Sequence, residues 1–146
     1  MLKRSLRAAA LAVLTALAPM AAMAEANRVA IHVDENDPAR MNMALNNAAN
    51  IISYYHDQGE EVAVEIVTYG PGLHMLRADT SPVADRIAQM SLEYETLAFS
   101  ACNNTLQGMT RQAGHEVPLL SEAEVVPSGA VHLMELQQQG WAYLRP

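Results

Sequence analysis

Leu97-Ala98-Phe99-Ser100-Ala101-Cys102-Asn103-Asn104-Thr105-Leu106 is the stretch whose reading decides the fold. Its first half is a short apolar run of the kind that forms a buried strand, and the Asn-Asn-Thr cluster after it is of the kind that caps a helix start. The boundary falls on Cys102, the one cysteine of the chain. A strand that runs straight into a helix is the unit from which α/β folds are built. It also places Cys102 at the positive end of a helix, where unpaired amides favour a thiolate over a thiol. The opposing reading is a small buried hydrophobe without chemistry.

The same strand-to-helix unit recurs on both sides of this stretch. Residues 28–33 are β-rich and stop at the polar turn Asp34-Glu35-Asn36-Asp37. Asp37 as N-cap and Pro38 in the first turn open a helix to about His56, with Met41, Leu45, Ala48, Ile52 and Tyr55 on one face; Gly59 ends it. Val62–Thr68 is the next strand, Tyr69-Gly70-Pro71-Gly72 the turn beyond it, and residues 73–76 a short helical piece. Ser81-Pro82 starts a helix through Val83, Ile87, Met90 and Leu92. Residues 95–101 form the third strand, and 104–112 the helix that Gly114 closes. A short strand at 124–126, a helix opened by Pro127-Ser128-Gly129 and closed by Gly140, and a strand at 141–144 complete the chain. Five strands alternate with helices over short connections, so the expected fold is α/β, a five-stranded, mainly parallel sheet covered on both faces.

The first 24 residues differ in character. Lys3, Arg4 and Arg7 precede an apolar run from Ala8 to Ala18, and Ala22-Met23-Ala24 matches an A-x-A cleavage site, the pattern of a secretory signal peptide. The apolar run is shorter than the roughly 20 residues of a membrane span. The expectation is an exported, periplasmic protein of residues 25–146 that keeps no membrane anchor. Without the leader, six arginines face sixteen carboxylates, a formal charge of −10, and no lysine remains. That balance excludes a basic surface for nucleic acid. An odd cysteine in an exported chain points to a free reactive thiol or to pairing between molecules.

Ligand sites in open parallel sheets form beyond the carboxyl ends of the strands. Three segments end there: His32, Asp34 and Asn36 after the first strand, Tyr69 and Gly70 after the second, and Cys102, Asn103 and Asn104 after the third, with His74 just past the second loop. Gly70-Pro71-Gly72 lacks the spacing and the lysine of a phosphate loop. His32, Asp34, Glu35 and Asp37 match no calcium or zinc template and read as a solvated, helix-capping turn. No cofactor and no metal are required. His56 and His132 read as ordinary polar positions on helices. A Cys-His hydrolase would need an orienting Asn or Asp and an oxyanion hole, which the sequence does not display in register.

Taken together, Val29-Ala30-Ile31-His32-Val33-Asp34 with residues 42–50, Tyr69-Gly70-Pro71-Gly72-Leu73, Phe99-Ser100-Ala101-Cys102-Asn103-Asn104-Thr105-Leu106, Val125-Val126-Pro127-Ser128-Gly129-Ala130-Val131 and Gly140-Trp141-Ala142-Tyr143 give the chain its resemblance. It resembles the DsrE/DsrF-like family of sulfur-relay proteins, to which TusD-type subunits belong. The resemblance implies a three-layer α/β/α domain that assembles into trimers or hexamers. It also implies that Cys102 carries sulfane sulfur as a persulfide between a donor and an acceptor, from an exposed position. The alternative is a non-catalytic oligomeric module that binds a small ligand and keeps Cys102 as a structural residue.

Overall fold

The alternation of apolar runs with 3.6-period segments produces five strands, four α-helices and a 3-10 helix across residues 27–146, the part of the chain that the computed structural model describes. The expected leader lies outside these residues. The strands are β1 (Asn27–Val33), β2 (Val62–Thr68), β3 (Leu97–Cys102), β4 (Ala123–Val126) and β5 (Ala142–Leu144). The helices are α1 (Pro38–Asp57), α2 (Ala84–Glu93), α3 (Asn103–Ala113) and α4 (Gly129–Gln138). The four pairings between these strands are parallel and the sheet order is β4-β3-β2-β1-β5. The α/β expectation holds, and the layers are three.

Alternation along the strands divides the buried side chains into two cores. Val29, Ile31 and Val33 of β1 share a face with Val64 and Ile66 of β2 and with Phe99 and Ala101 of β3; α1 and α2 cover it, and Leu106 and Met109 of α3 pack against its edge. Ile31, Leu45, Ile66 and Ile87 have no solvent exposure there, and Phe99 almost none. Each such side chain contributes about 1.5–3 kcal/mol through burial. Among the described residues, the opposite face is covered by α4 alone. Its apolar part is small: Ala30, Val67, Leu133 and Leu136, with Tyr69 and Trp141 partly buried beside them.

Topology explains this asymmetry. From β1 to β4 the chain steps across the sheet in one direction, so right-handed crossovers put α1, α2 and α3 on one side. The last crossover returns from β4 over β3, β2 and β1 to β5, and the same handedness puts α4 on the other side. The carboxyl ends of β3 and β4 therefore feed helices that leave toward opposite faces. That divergence is the switch point at which open α/β sheets hold their ligands.

Local chemistry accounts for most element ends. Asp37 accepts the Ala39 amide at 2.8 Å and opens α1, as its place before Pro38 predicts. Two segments differ from expectation. The turn and short helix after β2 are one 3-10 helix, Gly70–Leu76, packed hard on the end of β1: a Cβ at Gly72 would lie 2.2 Å from the Val33 carbonyl oxygen. Helix α2 begins at Ala84 rather than at Ser81-Pro82, because the Ser81 hydroxyl is donated to the Met75 carbonyl at 2.6 Å. Leu92, expected on its apolar side, is 89% exposed at the end of the helix.

Candidate functional site

Cys102 is the last residue of β3 and itself occupies the N-cap of α3, with extended backbone angles (φ −67°, ψ 117°). The Asn-Asn-Thr cluster was expected to supply the cap. It lies instead inside the first turn, as the first three helical residues. In an N-cap the side chain is the acceptor for the second and third amides of the helix, which here belong to Asn104 and Thr105. The sulfur thus stands where a serine or aspartate oxygen usually stands, though it makes no full capping hydrogen bond.

A second helix start closes on the same atom. Cys102 pairs with Val126 at the end of β4, and the chain turns there through Ser128 into α4. Gly129 passes between the Tyr69 ring and Cys102; a Cβ on it would lie 3.1 Å from Tyr69 and 3.2 Å from the Cys102 Cβ. Burial pushes the thiol's pKa up. The amides of Gly129, Thr105 and Asn104 and the Thr105 hydroxyl, turned toward the sulfur, favour the thiolate by more than this and hold the thiol below its ordinary range. The Thr105 oxygen already accepts the Gly70 amide at 2.9 Å, so its single proton is free to point at the sulfur. No cationic side chain contributes to this shift; it comes from backbone dipoles and one hydroxyl.

Cys102 is only 4% exposed. This corrects the expectation of an exposed thiol. Gly129 and the start of α4 lie over the side chain, a consequence of the crossover that no local stretch of sequence specifies.

The remaining candidates fall into three places. His32 is buried beside Tyr69, its ring 4.5 Å from the tyrosine ring, and its Nδ1 is 2.7 Å from the Tyr143 hydroxyl. Burial lowers its pKa, Arg145 adds to this and Asp34 opposes it. Tyr69 therefore links His32 to the Gly129–Cys102 contact. Asp34 and Glu35 do not cap a helix; both pair with Arg145, at 2.9 and 3.1 Å, and fasten the chain's last residues over the end of β1. Asn36, Gly70, His74 and Thr105 line one open cleft of about 400 Å³ against α3, where His74 is held 2.8 Å from Thr80. Asn103 faces a separate cleft on the other side of α3. A further cleft of similar volume, lined by Arg28 and Tyr55, opens at the amino ends of the strands and contains no nucleophile.

Beyond Gly129 and Thr105 at the sulfur, sequence reasoning missed a linked group, Glu65, Ser100 and His132. Glu65 of β2 accepts the Ser100 hydroxyl and the His132 Nε2–H on the same carboxylate oxygen, each at 2.5 Å. His132 is therefore no ordinary surface position. The available signal was Glu65 itself, a lone charge inside Val-Ala-Val-Glu-Ile-Val-Thr, because a charge in a buried parallel strand requires partners. Among the described residues no three His, Cys, Asp or Glu side chains gather as a metal site.

These features define a class: an open parallel α/β domain with one thiol at its switch point, beneath two helix starts. The DsrE/DsrF-like family model matches residues 17–146, and the chain belongs to that family, which is generally associated with sulfur relay. It is similar in structure to the protein of unknown function MTH1491 from Methanobacterium thermoautotrophicum, with a TM-score of 0.69 and 34% identity over 82% of this chain and 99% of that one. No curated protein matches.

Proposed function

We propose that the protein is an exported sulfur carrier that holds sulfane sulfur as a persulfide on Cys102. The observation that carries the reading is the thiol at the switch point, held below its ordinary range by the amides of two helices. In the transfer, the Cys102 thiolate attacks the outer sulfur of a donor persulfide or polysulfide. The new S–S bond forms as the donor's S–S bond breaks, and the donor leaves as a thiolate, or as a polysulfide shorter by one sulfur, that takes up a proton from solvent in place of the one Cys102 lost. No net oxidation occurs and no co-reactant is needed. The amides and the Thr105 hydroxyl that favour the thiolate are equally suited to the persulfide anion. Because Cys102 is covered, small inorganic polysulfides are the natural donors, and a protein acceptor requires the start of α4 to lift.

Incubation of residues 25–146 with polysulfide, followed by intact mass measurement, should give a gain of about 32 Da that reducing agent removes and Cys102→Ser abolishes. An adduct that survives Cys102→Ser, or none at all, overturns the reading in favour of a ligand-binding module with a structural cysteine.

Export rests on the leader pattern in residues 1–24, and N-terminal sequencing of the protein from a periplasmic fraction should begin at Glu25. Association into a homo-oligomer is supported by Val131 and Met134 on α4 and by Tyr143 on β5, all about half exposed. Light scattering on the purified chain measures it.

A further inference from the structure

Helix α4 brings Gly129 into contact with Cys102, yet it is anchored by few apolar contacts. Leu133 and Leu136 are its only buried large side chains, against Ala30 and Val67. The polar anchorage is more specific. His132 lies three residues after Gly129, in the first turn, and its amide donates to the Ser128 carbonyl at 2.9 Å. Its Nε2 donates to Glu65 on the sheet, and the same Glu65 oxygen accepts Ser100, two residues before Cys102 on the same face of β3. The Glu65 and His132 side chains are 13% and 24% exposed. One carboxylate thus ties together β2, β3 and the first turn of α4, next to the residue that bears the sulfur. Leaving that carboxylate without partners under a helix would be costly, so the three groups stand or fall together.

We propose that Ser100, Glu65 and His132 form a positioning latch: they clamp the first turn of α4 to the sheet and so keep the Gly129 amide, and the cover it provides, on the Cys102 sulfur. None of the three touches the reacting atoms. Their effect passes through the placement of Gly129. The latch rests on Cys102 being the reactive group, but it does not depend on which sulfur compound is carried.

The latch predicts two coupled changes when it is opened. The thiol loses one stabilising amide, so its pKa rises; the sulfur loses its cover, so the thiolate becomes more accessible. The test is the rate of Cys102 alkylation by iodoacetamide between pH 5 and 10, which separates the thiol pKa from the limiting rate of the thiolate. Glu65→Ala should raise the pKa by about one unit and increase the limiting rate. Glu65→Gln, which keeps an acceptor oxygen for Ser100 and His132, should recover most of both. Should Glu65→Ala fail to fold, His132→Ala, whose side chain lies partly in solvent, carries the same test. Ile87→Val on the opposite face should lower the melting temperature and move neither quantity. The latch is overturned if the pKa and limiting rate of Glu65→Ala or His132→Ala match those of the parent, or if Ile87→Val shifts them equally. A parent thiol that titrates at the ordinary value of about 8.5 overturns it as well. A lowered thiol that responds to the latch variants but takes no sulfur from polysulfide leaves the latch standing and removes the carrier reading instead.

Discussion

The two faces of the sheet are built from the same five strands and differ in almost every physical respect. The face under α1, α2 and α3 is dry, continuous and apolar, with Ile31, Leu45, Ile66 and Ile87 without solvent exposure. The face under α4 has a small apolar cluster, and around it lie His32, Glu65, Ser100 and Cys102. One crossover has to pass over three strands on that side, and its single helix, about 10 Å across, covers only about two strands spaced about 4.8 Å apart. The difference assigns stability to one face and chemistry to the other. A polar group in the first core would be a defect; on the second it can be paired, shifted in pKa and used.

Substitutions can break that division or sharpen it. The largest effect is expected where the packed face meets the strand ends. Gly72→Ala puts a Cβ 2.2 Å from the Val33 carbonyl oxygen, and only a backbone shift can relieve the clash. A loss of about 3 kcal/mol or more in urea unfolding is expected. Leu45→Ala, in the middle of the dry core, should cost about 2–5 kcal/mol and leave the Cys102 thiol pKa unchanged. If Leu45→Ala moves the thiol pKa, the faces are coupled and the division fails.

Changes beside the sulfur should show the reverse pattern. Gly129→Ala presses on Tyr69 and Cys102 from one atom, and both must give by a few tenths of an ångström. It should cost about 1 kcal/mol in stability but raise the thiol pKa measurably, because the amide is displaced. Thr105→Val removes the hydroxyl that reaches the sulfur and leaves the Gly70 amide without its acceptor; a smaller rise in pKa is expected, read from thiolate absorbance against pH.

The smallest effect is one of pH. The Cys102 pKa is depressed in the fold, so its contribution to stability is complete above the unfolded value of about 8.5 and is lost as pH falls through the folded value. His32 and His74 are also depressed, both by burial first. Their neutral forms suit the fold, so stability is full above the unfolded histidine pKa of about 6.5 and declines below it. Urea midpoints should therefore fall between pH 7 and 5, and His32→Gln should remove part of that slope. A slope unchanged by the variant would mean that His32 does not sense its burial.

Much of the architecture is legible in the order of residues. Asp37-Pro38 starts a helix, Gly59 and Gly114 end helices at φ +72°, and the apolar strands announce a parallel sheet. These are local events, decided within a few bonds by backbone sterics and the need to pair amides. The site was legible only as an address. Cys102 was placed at the junction of β3 and α3 correctly, but its exposure, the role of Gly129 and the Glu65–His132 pair were not readable, because each joins residues far apart in the chain. Glu65 and His132 are separated by 67 positions and meet on one oxygen.

By itself the sequence determined the alternation of strands and helices, the position of the thiol and membership of a family, since periodicity, capping and turn chemistry act over short range. Only the tertiary structure decided what surrounds the thiol. The handedness of a single return crossover carries α4 to the empty face of the sheet, and with it the amide, the cover and the latch that the sulfur meets.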